Sequence, residues 1–321
     1  MTQGEEQLYD KREVDTDHVK CAGCGANMEF DPASQKLVCR HCGRTEELEK
    51  QFGAPELDYL KGLDACEQWD GETVVFRCEN CGAKVLLDRA QTAKLCPFCG
   101  TAHVVEAGEQ AGIKPTALLP FAFDKDAAVQ RCKAWAKKGW LPPRKFRKRK
   151  SPDSVNGVYT PCFTFDSNTF SRYEGRIGKR HTRVVGSGKN RRTETYIVWR
   201  NISGTFSNRF DDVLVTAGRM MSQKNMEALQ PYDTNRGCLF EEEYMLGFMA
   251  YRYETGLSEL WKDARDIIDQ RLRGMILGQY VYDCVGYLNV STSHENVTYK
   301  YVMLPVWVGN YTYGKKLYNF Y

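Results

Sequence analysis

Histidine is scarce in this chain. Its five residues, His18, His41, His103, His181 and His294, are dispersed, and no two stand at the spacing of a zinc-protease helix. No apolar run approaches the roughly 20 residues that a membrane-spanning helix needs. There is no glycine-rich dinucleotide fingerprint. Gly186-Ser187-Gly188-Lys189-Asn190 comes near a phosphate-binding loop, but Arg183 and Val184 stand where its leading glycine belongs. Asn190 replaces the Ser or Thr that would hold Mg²⁺. With strand-like flanks, the segment reads as a hairpin turn. No convergent pair of titratable groups is evident, so a non-enzymatic protein is expected. The chain starts Met-Thr-Gln-Gly-Glu-Glu without a secretory leader, which points to a reducing, cytoplasmic setting.

Cysteine, in contrast, is abundant, and eight of the thirteen form two identical sets. Cys21, Cys24, Cys39 and Cys42 read C-A-G-C, fourteen residues, C-R-H-C. Cys78, Cys81, Cys96 and Cys99 read C-E-N-C, fourteen residues, C-P-F-C, offset by 57 residues. Two cysteines flanking two residues approach one metal from a tight turn, and a second such turn completes a tetrahedral site. Four cysteine ligands leave no vacancy, so the expectation is two structural Zn²⁺ per chain. Disulfides need an oxidising compartment, and a redox C-x-x-C would lie in a βαβ unit. A four-cysteine iron or iron–sulfur site is the remaining alternative. Glycine follows the second cysteine of every turn (Gly25, Gly43, Gly82 and Gly100), where positive φ lets the chain fold back toward the sulfurs. His41 is not needed as a ligand and reads as solvated. Cys66, Cys132, Cys162, Cys238 and Cys284 are scattered singly, and most of them read as small buried hydrophobes.

The net charge of +4 conceals an uneven distribution. Residues 131–192 carry eighteen Lys/Arg against three Asp/Glu, a balance of +15. Residues 1–72 carry seventeen acidic and eight basic side chains, a balance of −9. The candidate residues for an anionic partner are Arg144, Lys145, Arg147, Lys148, Arg149 and Lys150, around Phe146. Arg172, Arg176, Arg180, Arg183, Arg191 and Arg192 join them on the following β segment. Such density suits phosphate, whether of nucleic acid or of anionic lipid. The competing reading is a solvated basic surface or a dock for the acidic N-terminal region.

The chain divides into a loose N-terminus (1–18), a first ribbon (19–45), a connecting helix (46–73), a second ribbon (74–105), a linker (106–116) and an α+β domain (117–321). In the connecting helix, Leu57, Leu60, Leu63 and Cys66 recur on one face. In the last unit, Leu118–Phe123 reads as a strand and Asp124 as the cap of a helix to Lys138. The pattern is β from Tyr159 and again over Thr195–Val215. It is helical over 218–229 and 241–279, with Leu257, Leu260, Trp261, Ala264, Ile267, Ile268 and Leu272 as a core stripe. Strand returns over 280–321, ending in a hairpin-like run. Leu119-Pro120-Phe121, Pro161-Cys162-Phe163 and Leu304-Pro305-Val306 share a theme that predicts proline at strand starts. The fold class expected is α+β: two tandem four-cysteine zinc ribbons of rubredoxin-like form, followed by a mixed, mostly antiparallel α+β domain.

On these residues the chain resembles a bacterial family of double zinc-ribbon proteins, labelled TFIIB-type zinc-ribbon or primosomal-protein-N′-like. The resemblance rests on both cysteine sets and on Leu119-Pro120-Phe121 with Trp140-Leu141-Pro142-Pro143. It also rests on Gly157 to Phe163, on Tyr244 to Phe248 with Tyr253, and on Tyr299-Lys300-Tyr301 leading to Trp307. The helicase-like label would imply an ATP motor, and none of its motifs is present. Some relatives look like parts of envelope-stress assemblies beside flotillin-like (SPFH) and PspA-like proteins. The resemblance therefore implies a zinc-ribbon adaptor with a protein partner, cytoplasmic or peripheral at the inner face of the membrane. The alternative is a nucleic-acid-binding protein that uses the ribbons and the basic 144–192 region. Family members continue past the last hairpin strand, where this chain stops at Tyr321, which leaves open whether the chain extends further.

Overall fold

A computed structural model of the protein describes residues 20–64, 73–88, 96, 104–106, 113–138, 154–218, 220–232, 234, 237–313 and 316–321. A small antiparallel sheet comes first: β1 (Met28–Asp31), β2 (Lys36–Cys39) and β3 (Thr45–Glu47), in that order. Then follow β4 (Leu57–Asp58), α1 (Tyr59–Asp64), β5 (Thr73–Cys78), β6 (Lys84–Asp88), β7 (Val104–Glu106), β8 (Ala117–Leu118) and α2 (Lys125–Lys138). The remainder is β9 (Ser154–Val185), β10 (Arg192–Thr216), α3 (Gln223–Leu229), β11 (Cys238–Leu239), β12 (Met249–Tyr251), α4 (Leu257–Gly278), β13 (Cys284–Tyr313) and β14 (Lys316–Phe320). The protein is α+β, rich in strand, and its large sheet is mixed. Most pairs are antiparallel, while β12 runs parallel to β9 and β8 parallel to β13.

Three long strands organise this sheet. β9 lies between β13 and β10 and is antiparallel to both. At about 3.3 Å per residue its 32 residues span about 100 Å. β-bulges interrupt both neighbours at one level of β9: between Phe210 and Val213 in β10, and between Glu295 and Thr298 in β13. Asp212 and Asn296 take left-handed backbone there, with φ 51° each. Extra residues at one level on both sides bend and twist the strands. Below the bulges the strands form the core; above them they form a projecting arm.

The core is aromatic. Phe163 and Tyr301 are cross-strand partners whose rings stack at 4.7 Å with 3° between planes. Phe121 stacks on Phe248 at 4.3 Å and meets Tyr159 edge-on. α4 covers the sheet through Leu260, Ala264, Ile268 and Leu272, all fully buried, so the helical stripe is core as expected. At its end Ile276 seals the arm against Tyr173, Ile177, Ile202 and Leu288. The Asp124 carboxylate accepts from the Ala127 amide at 2.8 Å and caps α2.

Several expectations need correction. Residues 241–256 are not α-helical. A 3₁₀ turn (Glu242–Met245) ends near Gly247, whose φ is 86°, and β12 follows between β9 and β6. Pairing on two sides overrides the local helical period. Within the described part of the connecting segment, up to Asp64, helix is confined to the short α1 after β4, and Cys66 of its expected face lies outside the described residues. Leu57 packs on the core, whereas Leu60 is 70% exposed. The strand expected over Leu118–Phe123 shrinks to Ala117–Leu118.

Pro161 and Pro305 lie inside strands, opposite Met303 and Tyr159, rather than at strand starts. The Pro161 carbonyl accepts from Ala217, at the side where the neighbour of β9 changes from β12 to β10. The Pro305 carbonyl accepts from the Tyr232 hydroxyl, in the gap along β13 between β8 and β14. In a strand N–H and C=O point to the same side, so each missing donor falls where no ladder bond is needed.

Truncating Leu260 to alanine should cost about 2–5 kcal/mol. Truncating Leu60 should stay within about 0.5 kcal/mol. Denaturant unfolding of the two variants measures the difference.

Candidate metal centres and a cationic arm

The turns around the first cysteine set are built alike. The Gly25 amide donates to the Cys21 carbonyl at 2.8 Å, and the Cys21 amide to the Ala26 carbonyl at 2.8 Å. In the second turn Gly43 donates to Cys39 at 2.9 Å and Cys39 to Arg44 at 2.8 Å. Around Cys78, Gly82 donates to Cys78 and Cys78 to Ala83, both at 2.8 Å. Gly25, Gly43 and Gly82 have φ of 72°, 76° and 74°, the left-handed backbone their positions require.

These turns gather Cys21, Cys24, Cys39 and Cys42 so that their four sulfurs lie within 4.8 Å of one another. Cys21 and Cys42 approach to 3.5 Å, as do Cys24 and Cys39. Zn–S bonds of about 2.3 Å place tetrahedral sulfurs about 3.8 Å apart, so the set fits one metal ion. The amides of Cys42 and His41 pull the Cys39 thiol down to about 6, against burial. The Ala26 amide pulls Cys24 down, but neighbouring sulfurs outweigh it and push it up to about 12. Four thiols this close cannot all ionise alone; a divalent cation removes that conflict.

In the second set Cys78, Cys81 and Cys96 are gathered the same way, with Cys81 and Cys96 at 3.6 Å. Cys99 lies outside the described residues. Both cysteine units are built into the large domain. Phe30 of β1 donates its amide to the Leu246 carbonyl at 3.0 Å and packs edge-on against Tyr244. β6 pairs with β12, which joins the second unit to the large sheet.

Of the candidate cations, Arg144, Lys145, Arg147, Lys148, Arg149 and Lys150 lie outside the described residues. Arg172, Arg176, Arg180, Arg183, Arg191 and Arg192 are all exposed on the arm formed by β9, β10 and their turn. They do not form one patch. Strand alternation places Arg172, Arg176 and Arg180 on the face away from α4, and Arg183 with Arg192 on the other face. The latter two share Glu194, at 3.3 and 2.8 Å. The guanidinium of Arg176 lies 5.3 Å from the ring centre of Trp199.

A polar cluster sits where the arm leaves the core, and pattern reading of the sequence does not find it. The nearly buried Lys300 ammonium reaches Glu56 at 2.7 Å and Asp212 at 3.1 Å. Asp166 accepts from the Asp212 amide at 2.8 Å. Glu56, Asp166 and Asp212 could hold a cation by distance, but Lys300 already supplies the positive charge. Burial pushes Asp166 up to about 6, against the Asp212 amide. These residues are far apart in the chain, and the β9–β13 register, the β4–β13 pairing and the bulge at Asp212 bring them together.

Among the described residues no helix is long and apolar enough to cross a membrane. No family model matches the chain, and no solved structure matches it. It is similar to the uncharacterized protein YdjG of Bacillus subtilis (strain 168). The two are 29% identical over 312 residues, covering 92% of this chain and 84% of that protein.

If each cluster holds one metal ion, elemental analysis of the purified chain should give about two per molecule, and Cys81→Ser should lose one of them. A carboxyl whose folded pKa is raised favours folding fully below its ordinary value near 3.8, and that contribution is lost as pH rises through about 6. Asp166→Asn should abolish this loss. The melting point of the variant should gain on the parent from about pH 4 to about pH 7.

Proposed function

We propose that this chain is a non-enzymatic adaptor built on two tandem, rubredoxin-like zinc ribbons, and that it mediates protein–protein interaction. Each ribbon is stapled by one structural Zn²⁺, held by Cys21, Cys24, Cys39 and Cys42 in the first and by Cys78, Cys81, Cys96 and Cys99 in the second. The observation that carries the reading is the first sulfur cluster. Its four sulfurs take all four corners of a metal site, so no position is open for water or substrate. Cys24 and Cys42 lie at the surface, while Met28, Phe30 and Leu37 of the same unit are buried. Such a unit holds a shape: its inner face is fixed to the large sheet, and its turns face outward to a partner. The resemblance to double zinc-ribbon proteins supports an SPFH- or PspA-like partner, met in the cytoplasm or at the inner face of the membrane.

Ala22 and His41 are exposed turn residues that are not ligands. Ala22→Arg with His41→Asp should abolish capture of a purified SPFH- or PspA-like protein while zinc content stays unchanged. If capture needs nucleic acid and vanishes with nuclease, the adaptor reading falls.

A second reading rests on the exposed arm cations beside Trp199: nucleic-acid binding through phosphate contacts and ring stacking. Fluorescence polarisation with single-stranded DNA across salt decides it. Arg191→Ala with Arg192→Ala should then reduce the salt slope by about 1.4. No affinity for DNA at physiological salt removes this reading.

A further inference from the structure

The arm carries apolar side chains that its own fold leaves in water. Ile197, Trp199 and Tyr287 are exposed on the face away from α4, and Val184, on the same face nearer the turn, is 57% exposed. Val198 is exposed on the opposite face, and Val281, in the connection from α4 to β13, is 76% exposed. Single exposed apolar residues are ordinary, but a group gathered on one projection needs an explanation.

Trp199 is also held in place. A Cβ at Gly178 would come within 3.1 Å of its ring, and one at Gly286 within 3.0 Å. These two glycines leave room for the indole across the strands, with the Arg176 guanidinium beside it. Around this group the charge is strongly one-signed. Residues 176–200 contain eight lysines and arginines and one acid, Glu194, which is engaged by Arg183 and Arg192.

We propose that the outer part of this arm is a membrane-surface element, which lays its apolar side chains into the headgroup boundary of an anionic phospholipid bilayer. The side-chain chemistry selects this occupant. Nucleic acid would use the cations and aromatic rings, but Val184, Ile197, Val198 and Val281 offer nothing to a base stack. A second copy of the chain would set one cationic arm against another. A protein partner would cover one face, whereas the exposed aliphatic residues lie on both faces and in the adjoining connection. A fluid boundary accepts all of them: tryptophan and tyrosine favour its depth, and lysine and arginine keep their heads on phosphate while their stems lie in the apolar layer.

The backbone limits the depth. Among the described residues the outer edge of β10 has no strand partner, and its open N–H and C=O groups need water. The arm therefore stays within the hydrated headgroup layer, where both of its faces meet lipid, and does not span the bilayer. This inference goes beyond the adaptor reading and holds with or without a protein partner.

The experiment is co-sedimentation of the full zinc-loaded chain with phosphatidylcholine vesicles, with and without phosphatidylglycerol, alongside single-stranded DNA as competitor. Binding should require the anionic lipid and shift tryptophan emission to the blue, and Trp199→Phe should remove most of that shift. Ile197→Ser with Trp199→Ser should weaken binding at least about tenfold. Lys179→Gln with Arg180→Gln should weaken it about fivefold per cation. All four positions are exposed, and an unchanged circular dichroism spectrum checks that the variants fold. Absence of binding, equal binding to neutral vesicles, or indifference to the serine pair overturns the proposal. DNA binding that vesicles fail to displace also overturns it and assigns the arm to nucleic acid. The adaptor reading is judged separately, by protein capture with the Ala22 and His41 variant.

Discussion

The antiparallel ladder between β9 and β13 supports the rest of the molecule. It runs from the Ser154–Asn310 pair to the Gly178–Cys284 pair, broken only by two bulges. On its inner side β8, β4 and β14 attach to β13; on the other, β12 and β10 attach to β9. The second cysteine unit joins through β12, and the first docks on the 3₁₀ turn before that strand. The arm is the continuation of the same ladder past the point where the core has ended. A strand that outruns its core keeps its hydrogen bonds but loses its burial. α4 restores burial on one face as far as Ile276, and beyond that the side chains face water.

The transition from core to arm is where the electrostatics concentrate. Two bulges at one level turn Asp212 and Lys300 toward each other and bring Asp166 beside them. A buried ammonium between two carboxylates is tolerable because each charge has a partner. Burial lowers the affinity of Lys300 for its proton, but Glu56 and Asp212 more than offset this, and its pKa is raised overall. The same crowding leaves Asp166 with a raised pKa. The cluster ties β4 to two long strands through groups that strand propensity alone would not place there.

The cysteine clusters follow another logic. Their turns are local, closed by hydrogen bonds within six residues, so spacing and glycine placement carry nearly all the information. The gathered sulfurs of Cys21, Cys24, Cys39 and Cys42 and the positive φ of Gly25, Gly43 and Gly82 were therefore legible in the sequence. So were the capped helix after Asp124, the buried stripe of α4 and the turn at Gly186, because each rests on a short-range period or a single capping side chain.

What the chain determined by itself was whatever neighbouring residues can settle: cysteine spacing, turn geometry, amphipathic period and charge density. What the tertiary structure decided was whatever depends on partners far along the chain. Residues 249–251 became a strand because β9 and β6 flank them, and Leu60 stayed in water because β4 and α1 are short. Pro161 and Pro305 sit inside strands because each falls in a gap between two neighbours. The cations of 172–192 divide between two faces, beside apolar residues from β10 and β13, because alternation and register are properties of the paired sheet. Local patterns report the energy of a residue with its near neighbours, whereas register and burial are set by pairing across strands, which between β9 and β13 joins residues more than a hundred positions apart.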